Sequence, residues 1–127
     1  MFEPSTLNST ITESNIKELV DSFYTKVRND SDLGPIFQTM VGEDWDKHLN
    51  IMYNFWSSLM LASGKYHGNP HMKHKNIPSF DPKLFDRWLS LFAETTQQIY
   101  IKTIADSYQL KAIRIAESLK LSVQNHI

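Results

Sequence analysis

The stretch WDKHLNIMYNFWSSLM, residues 45–60, decides the fold class. Its apolar residues Trp45, Leu49, Met52, Trp56, Leu59 and Met60 recur at spacings of 4, 3, 4, 3 and 1, which gathers them on one face of a helix. A half-buried strand would alternate with a period of two instead. The spacing predicts a helix over residues 44–62, stopped by Ser63-Gly64. His48 falls on its apolar face, a polar tip set into a greasy stripe.

Upstream, Ile16, Leu19, Val20, Phe23 and Val27 follow the same helical pattern, with Thr10 and Glu13 placed for a capping box and an end near Arg28. Asn29-Asp30-Ser31-Asp32 reads as a turn. The next segment, Leu33-Gly34-Pro35-Ile36-Phe37, is expected to be too short and too broken by Gly-Pro for a full helix. Residues 1–10 are polar and expected as a loose leader, leaving 11–127 as one domain.

Downstream, Pro70 and Pro78 bracket a segment just long enough for two helical turns. Asp81-Pro82 opens a helix that runs through Phe85, Trp88, Leu89, Phe92 and Ile99 to about Lys102. A last helix is predicted from about Thr103 to Gln124 through Ile104, Tyr108, Ala112, Ile115, Leu119 and Val123. No segment alternates with a period of two, so the fold is expected to be all-α.

Composition removes many functions. The 127 residues suit one core, and with no cysteine there is no disulfide, thiolate nucleophile, iron-sulfur cluster or covalent haem attachment. Thirteen Lys and Arg against 14 Asp and Glu leave no basic field for nucleic acid. No apolar run reaches the roughly 18 residues a membrane span needs, and the first residues lack the pattern of a signal peptide. A cytosolic protein without membrane contact is expected. Phosphate-binding loops and hydrolase motifs are missing from the sequence.

The histidines carry what chemistry there is. His67, His71 and His74 cluster around the Pro-bounded segment, and His48 lies 26 residues before His74. They suit three arrangements. They are solvated helix histidines, or His67, His71 and His74 hold a zinc or nickel ion, or one of them faces His48 across a flat cofactor. An iron porphyrin needs one neutral imidazole, an apolar slot and, on the far face, donors for a ligand that draws negative charge from the iron. Seven Phe, 5 Tyr and 3 Trp supply the slot. Tyr24 and Trp88 each carry a single donor on a large apolar body, although either taken alone is better read as a core residue satisfied by backbone carbonyls.

Four stretches in register, FYTKVRNDSDLGPIF (23–37), WDKHLNIMYNFW (45–56), YHGNPHMKHKNIPSF (66–80) and FDRWLSLF (85–92), resemble the truncated haemoglobins, specifically group III. The resemblance runs from about Ile11 over nearly the whole chain. Double-glycine turns typical of group I are absent. The resemblance implies a shortened globin fold, a two-over-two helical sandwich, around haem b, iron protoporphyrin IX. His74, followed by Lys-Asn-Ile-Pro, matches the proximal ligand, which leaves His71 as a surface neighbour. His48 matches a distal gate. Tyr24 and Trp88 match distal donors, and Phe37 matches a phenylalanine packed on the haem. Phe23, Met52, Trp56, Phe80 and Phe92 complete the apolar walls, with Met52 where other members often carry a branched aliphatic residue. Lys73 resembles a position that often holds a basic residue near a propionate.

The function implied is binding of O2, NO and CO by a monomer, with high oxygen affinity from the two donors. A haem enzyme acting on nitric oxide or peroxide is the alternative; it needs a separate reductase that so small a chain does not contain. A haem-free globin-like signalling domain is the third reading.

Overall fold

Helix starts and stops are set by local chemistry, and packing does the rest. The structure, a computed structural model, describes residues 7–66 and 83–124, with side chains to residue 120. Among them are α1 (Glu13–Asn29), α2 (Leu33–Val41), α3 (Trp45–Leu61), α4 (Lys83–Ile99) and α5 (Lys102–Gln124). The segment between Pro70 and Pro78, expected as a short helix, lies outside the described residues. No described helix is long and apolar enough to cross a membrane.

A capping box opens α1, but on other residues than expected. Thr12 Oγ1 accepts from the Asn15 N–H at 3.1 Å, and Asn15 Oδ1 accepts from the Thr12 N–H at 2.8 Å. Thr10 and Glu13 do not form it: the Thr10 carbonyl takes the Asn15 side-chain amide at 3.0 Å, while Glu13 bonds to Ser57 and Lys65. The shorter Asn side chain closes back on the cap and frees the glutamate for tertiary contact.

The nine residues from Leu33 to Val41 are a helix after all. Pro35 sits in the first turn, where an N–H has no intrahelical partner, so its missing donor is harmless. Asp30 supplies the acceptors that the start of this helix needs: its Oδ2 takes the N–H of Asp32 at 3.1 Å and of Leu33 at 2.9 Å. Gly34 is required by closeness, because a Cβ there would stand 2.7 Å from the Arg28 carbonyl oxygen. A Gly-Pro pair that looks like a break is thus the means by which α2 turns tightly against α1.

The expected helix over residues 44–62 appears as Trp45–Leu61, closed by Ala62 in the left-handed region at φ 54. The junction predicted near residue 102 lies at Tyr100–Ile101 instead, since Asn8 claims that backbone. The Asn8 N–H donates to the Ile99 carbonyl at 2.9 Å, and the Ile101 N–H donates to the Asn8 carbonyl at 3.0 Å. Asn8 belongs to the stretch expected as a loose leader, yet it is tied into the α4–α5 corner.

The core is continuous from α1 to α5. Ile16, Leu19, Val20, Phe23, Tyr24 and Val27 of α1 are buried with Leu91, Phe92 and Ile99 of α4, Trp56 of α3, and Ala105, Tyr108 and Ala112 of α5. Each fully buried large aliphatic side chain stabilises the fold by about 1.5–3 kcal/mol. One chain of hydroxyls crosses this core. The Tyr108 and Tyr100 oxygens lie 3.0 Å apart, and Tyr100 donates to Asn15 Oδ1 at 2.7 Å. Since the single Tyr100 proton goes to Asn15, Tyr108 donates to Tyr100. Burial pushes both phenols up, Tyr100 to about 12, so they remain donors.

Asn15 therefore holds the α1 cap and the buried tyrosine pair with one amide. Asn15→Ala orphans the Tyr100 hydroxyl and removes half of the capping box, and a loss of about 2–4 kcal/mol is expected. Urea unfolding should show a lower midpoint at unchanged slope.

Candidate functional site

The site grows from two adjacent residues of α1, Phe23 and Tyr24, which are 2% and 4% exposed. Consecutive helical residues point about 100° apart, so the two rings open onto different partners. Tyr24 stands edge-on to His48 of α3 at 5.0 Å between centroids and to Phe37 of α2 at 5.9 Å. Trp45, also of α3, closes the group at 6.0 Å from Tyr24 and 5.6 Å from His48.

Phe23 faces α4. Its ring stands edge-on to Trp88 at 5.4 Å and to Phe92 at 5.1 Å. Behind it runs a column of parallel rings: Trp88 stacks on Phe92 at 5.7 Å and Phe92 on Trp56 at 5.0 Å. Offset stacked and edge-to-face pairs each add about 0.5–1.5 kcal/mol beyond burial, so the column holds the Trp88 indole in a set orientation. Met52 lies one turn beyond His48 on α3 and packs, half-buried, against the same core.

Polar atoms in this group are few. Burial alone pushes the Tyr24 phenol well above its usual range, with no hydrogen bond contributing, so it stays protonated and able to donate. The imidazole of His48 turns inward, for its Nε2 is buried although the residue as a whole is half-buried. That orientation is not readable from sequence.

Of the residues singled out in the sequence, Phe23, Tyr24, Phe37, His48, Trp56, Trp88 and Phe92 thus belong to one ring-contact system spread over four helices, and Met52 packs against the same core. His74 and Phe80, like His67, His71 and Lys73, lie outside the described residues. Among the described residues no three His, Cys, Asp or Glu side chains gather to hold a metal ion.

Sequence reasoning treated Trp45 as core only. It backs both Tyr24 and His48, its Nε1 donates to Gln38 Oε1 at 3.4 Å, and the Arg28 guanidinium lies over its ring at 4.4 Å. The signal available was its position three residues before His48, one turn away on the same face.

A second unflagged residue, Asp30, sets where α2 and its Phe37 stand relative to α4. Besides the two backbone N–H groups at the start of α2, Asp30 accepts from Arg87 Nε at 2.7 Å, and Arg87 directly precedes Trp88. Burial of this carboxylate, 5% exposed, works against its charge. The Leu33 N–H, the Arg87 guanidinium and the Asp32 N–H outweigh that, holding it below the usual carboxylate range.

A family model for bacterial-like globins matches residues 9–125. The chain is 38% identical over 110 residues to the group 3 truncated haemoglobin of Campylobacter jejuni, covering 84% of this chain and 87% of that one. It is also similar to the crystal structure of the group III truncated haemoglobin from Campylobacter jejuni, with a TM-score of 0.88 at 33% identity over 95% of this chain and 98% of the other.

The Asp30 contacts carry a pH signature. Because the folded pKa is depressed, their stabilisation is present above the unfolded value of about 3.9 and fades as pH falls through the folded value. Asp30→Asn is expected to lower stability at neutral pH by about 1–2 kcal/mol. It should also flatten the acid limb of the stability profile. Parent and variant curves that run parallel down to pH 2 or so would contradict this.

Proposed function

The chain belongs to the bacterial-like globins and, within them, to the group III truncated haemoglobins, and on that footing we propose that it binds haem b and uses it to hold diatomic ligands. Its fold is the all-α truncated globin fold that the sequence resemblance implied. The residues present fit such a group. Phe37, Met52 and Trp88 are half-buried side chains resting on a buried apolar core, which is the construction of a wall against which a flat apolar molecule packs. The donors beside that wall, a phenol, an imidazole and an indole, suit a ligand that gathers negative charge.

His74 is the residue proposed to hold the haem, with Phe37, Met52, Trp56, Phe80, Phe92 and Phe23 as apolar walls. When bound, the haem supplies an iron atom with an open side for O2, NO or CO. The remaining work falls to this chain's side chains. Tyr24 donates its hydroxyl proton to the ligand, Trp88 donates its indole N–H, and His48 gates entry. The apolar rings around them exclude water, which strengthens each bond. The observation that supports this reading best is the Tyr24 phenol, a hydrogen-bond donor desolvated among Phe37, His48 and Trp45.

Hydrogen bonds to a charged acceptor are worth about 1.5–3 kcal/mol each, and every 1.4 kcal/mol is about tenfold in a rate. Two donors therefore slow oxygen release by roughly two orders of magnitude or more. So slow a release favours a second reading, redox work on nitric oxide or peroxide with electrons from a separate reductase.

Haemin titration tests the first step. The chain is expected to take up one equivalent and show an intense porphyrin band whose ligation signature is lost in His74→Gly. A colourless chain, or full ligation in that variant, overturns the assignment. Tyr24→Phe and Trp88→Phe should each speed oxygen release about tenfold. Unchanged rates in both would mean that their donors serve the core. Stopped-flow mixing of the oxygen-loaded protein with nitric oxide decides the second reading: turnover no faster than that of free haem removes it.

A further inference from the structure

The end of α3 carries a set of polar contacts that neither the core nor the donors explain. Ser57, on the last turns of α3, is wholly buried. Its Oγ lies 2.8 Å from Glu13 Oε2 and 2.8 Å from Ser63 Oγ. A hydroxyl has one proton, which the carboxylate takes, so Ser63 donates to Ser57. Lys65 Nζ adds a bond to the same Glu13 oxygen at 2.9 Å. The Tyr66 N–H donates to Ser58 Oγ at 2.8 Å, and its ring stands edge-on to Phe55 at 5.1 Å.

These contacts all act on residues 63–66, which leave α3 by way of Ala62 in the left-handed region. Ala62, Ser63, Gly64 and Lys65 are exposed, so apolar burial does little to direct this part of the chain. Its course is set by hydrogen bonds to Ser57, Ser58 and, across to the first residue of α1, Glu13. In sequence this exit leads directly into residues 67–82, which carry His74.

We propose that Glu13 and Ser57 are positioning residues for haem retention: together with Ser63 and Lys65 they fix the root of the segment that bears His74. This rests on the reading of His74 as the haem ligand. The half-exposed Lys65–Glu13 pair alone is weak, whereas Ser57 is wholly buried and its hydroxyl ties Ser63 on one side to the Glu13 carboxylate on the other, the latter bond being charge-assisted. Severing it leaves the α1 cap on Thr12 and Asn15 and the apolar core of the helices intact, so the loss falls on the ends of α1 and α3 and on the root they hold.

The test measures transfer of haem from the loaded protein to an excess of a haem-scavenging apoglobin, with the ferric spectrum and the urea midpoint recorded alongside. Ser57→Ala and Glu13→Ala are expected to lose haem about tenfold faster than the parent, the factor that 1.4 kcal/mol commands. Their ferric ligation bands should broaden or shift, while the urea midpoint of the haem-free chain stays near that of the parent. Glu13→Asp should recover part of the retention. Lys102→Met, which cuts an exposed pair with Asp106 on α5, should lose haem at the parental rate. Unchanged loss in both Ser57→Ala and Glu13→Ala overturns the inference, as does faster loss matched by Lys102→Met. If the parent itself takes up no haemin, the proposed function falls and this inference falls with it; loaded variants that release haem no faster bring down the positioning role alone.

Discussion

Phe23 and Tyr24 are neighbours on one helix, and both are buried. Because successive helical side chains diverge by about 100°, this is possible only when the helix is covered over a wide arc. α1 meets that constraint by lying between α2 and α3 on one side and α4 on the other. Phe23 is consumed by the ring column of Trp88, Phe92 and Trp56, and Tyr24 by His48, Phe37 and Trp45. A helix with a narrower buried stripe would expose one ring, and the phenol would then bond to water.

Apolar packing sets this arrangement only approximately, since ring columns tolerate sliding. Directional bonds at the helix ends remove that freedom. Asn15 joins the start of α1 to the Tyr100–Tyr108 pair at the α4–α5 corner, where Asn8 also pairs with the backbone. Asp30 joins the start of α2 to Arg87 of α4, next to Trp88. Glu13 joins the start of α1 to the end of α3. In each case a side chain near the beginning of a helix, where backbone N–H groups lack partners, reaches a distant element, so caps double as tertiary ties.

The proposed chemistry uses the same economy of polar atoms. A charge-gathering ligand is held best by donors that make no competing bonds and that water cannot reach. Tyr24 lies buried among rings, and burial is the cause that raises its pKa. Phe37, Met52 and Trp88 are only half-buried, and in the proposed reading it is their outer faces that a flat apolar partner covers.

Much of this was legible in the sequence. The spacing of Trp45, Leu49, Met52 and Trp56, and that of Ile16, Leu19, Val20, Phe23 and Val27, determined the helices, because each helix face must find a core whatever the topology. The aromatic character of this cluster was legible for the same reason, and the four family-like stretches contain the residues that form it. What the sequence left open depended on distance rather than spacing. α2 is helical because Asp30 supplies acceptors and Gly34 lets the chain approach Arg28, neither of which periodicity records. The capping box falls on Thr12 and Asn15, not on Thr10 and Glu13, because the helix begins at Glu13 and so makes Thr12 its N-cap, while the Glu13 carboxylate goes to Ser57, 44 positions away. The inward turn of His48 and the backing by Trp45 are decided by rings on α1 and α2. Local pattern fixes which residues share a face, because it follows from the geometry of a single helix. Which polar group meets which is settled only when separate helices pack, because a hydrogen bond needs about 3 Å of true separation, and no sequence interval encodes that.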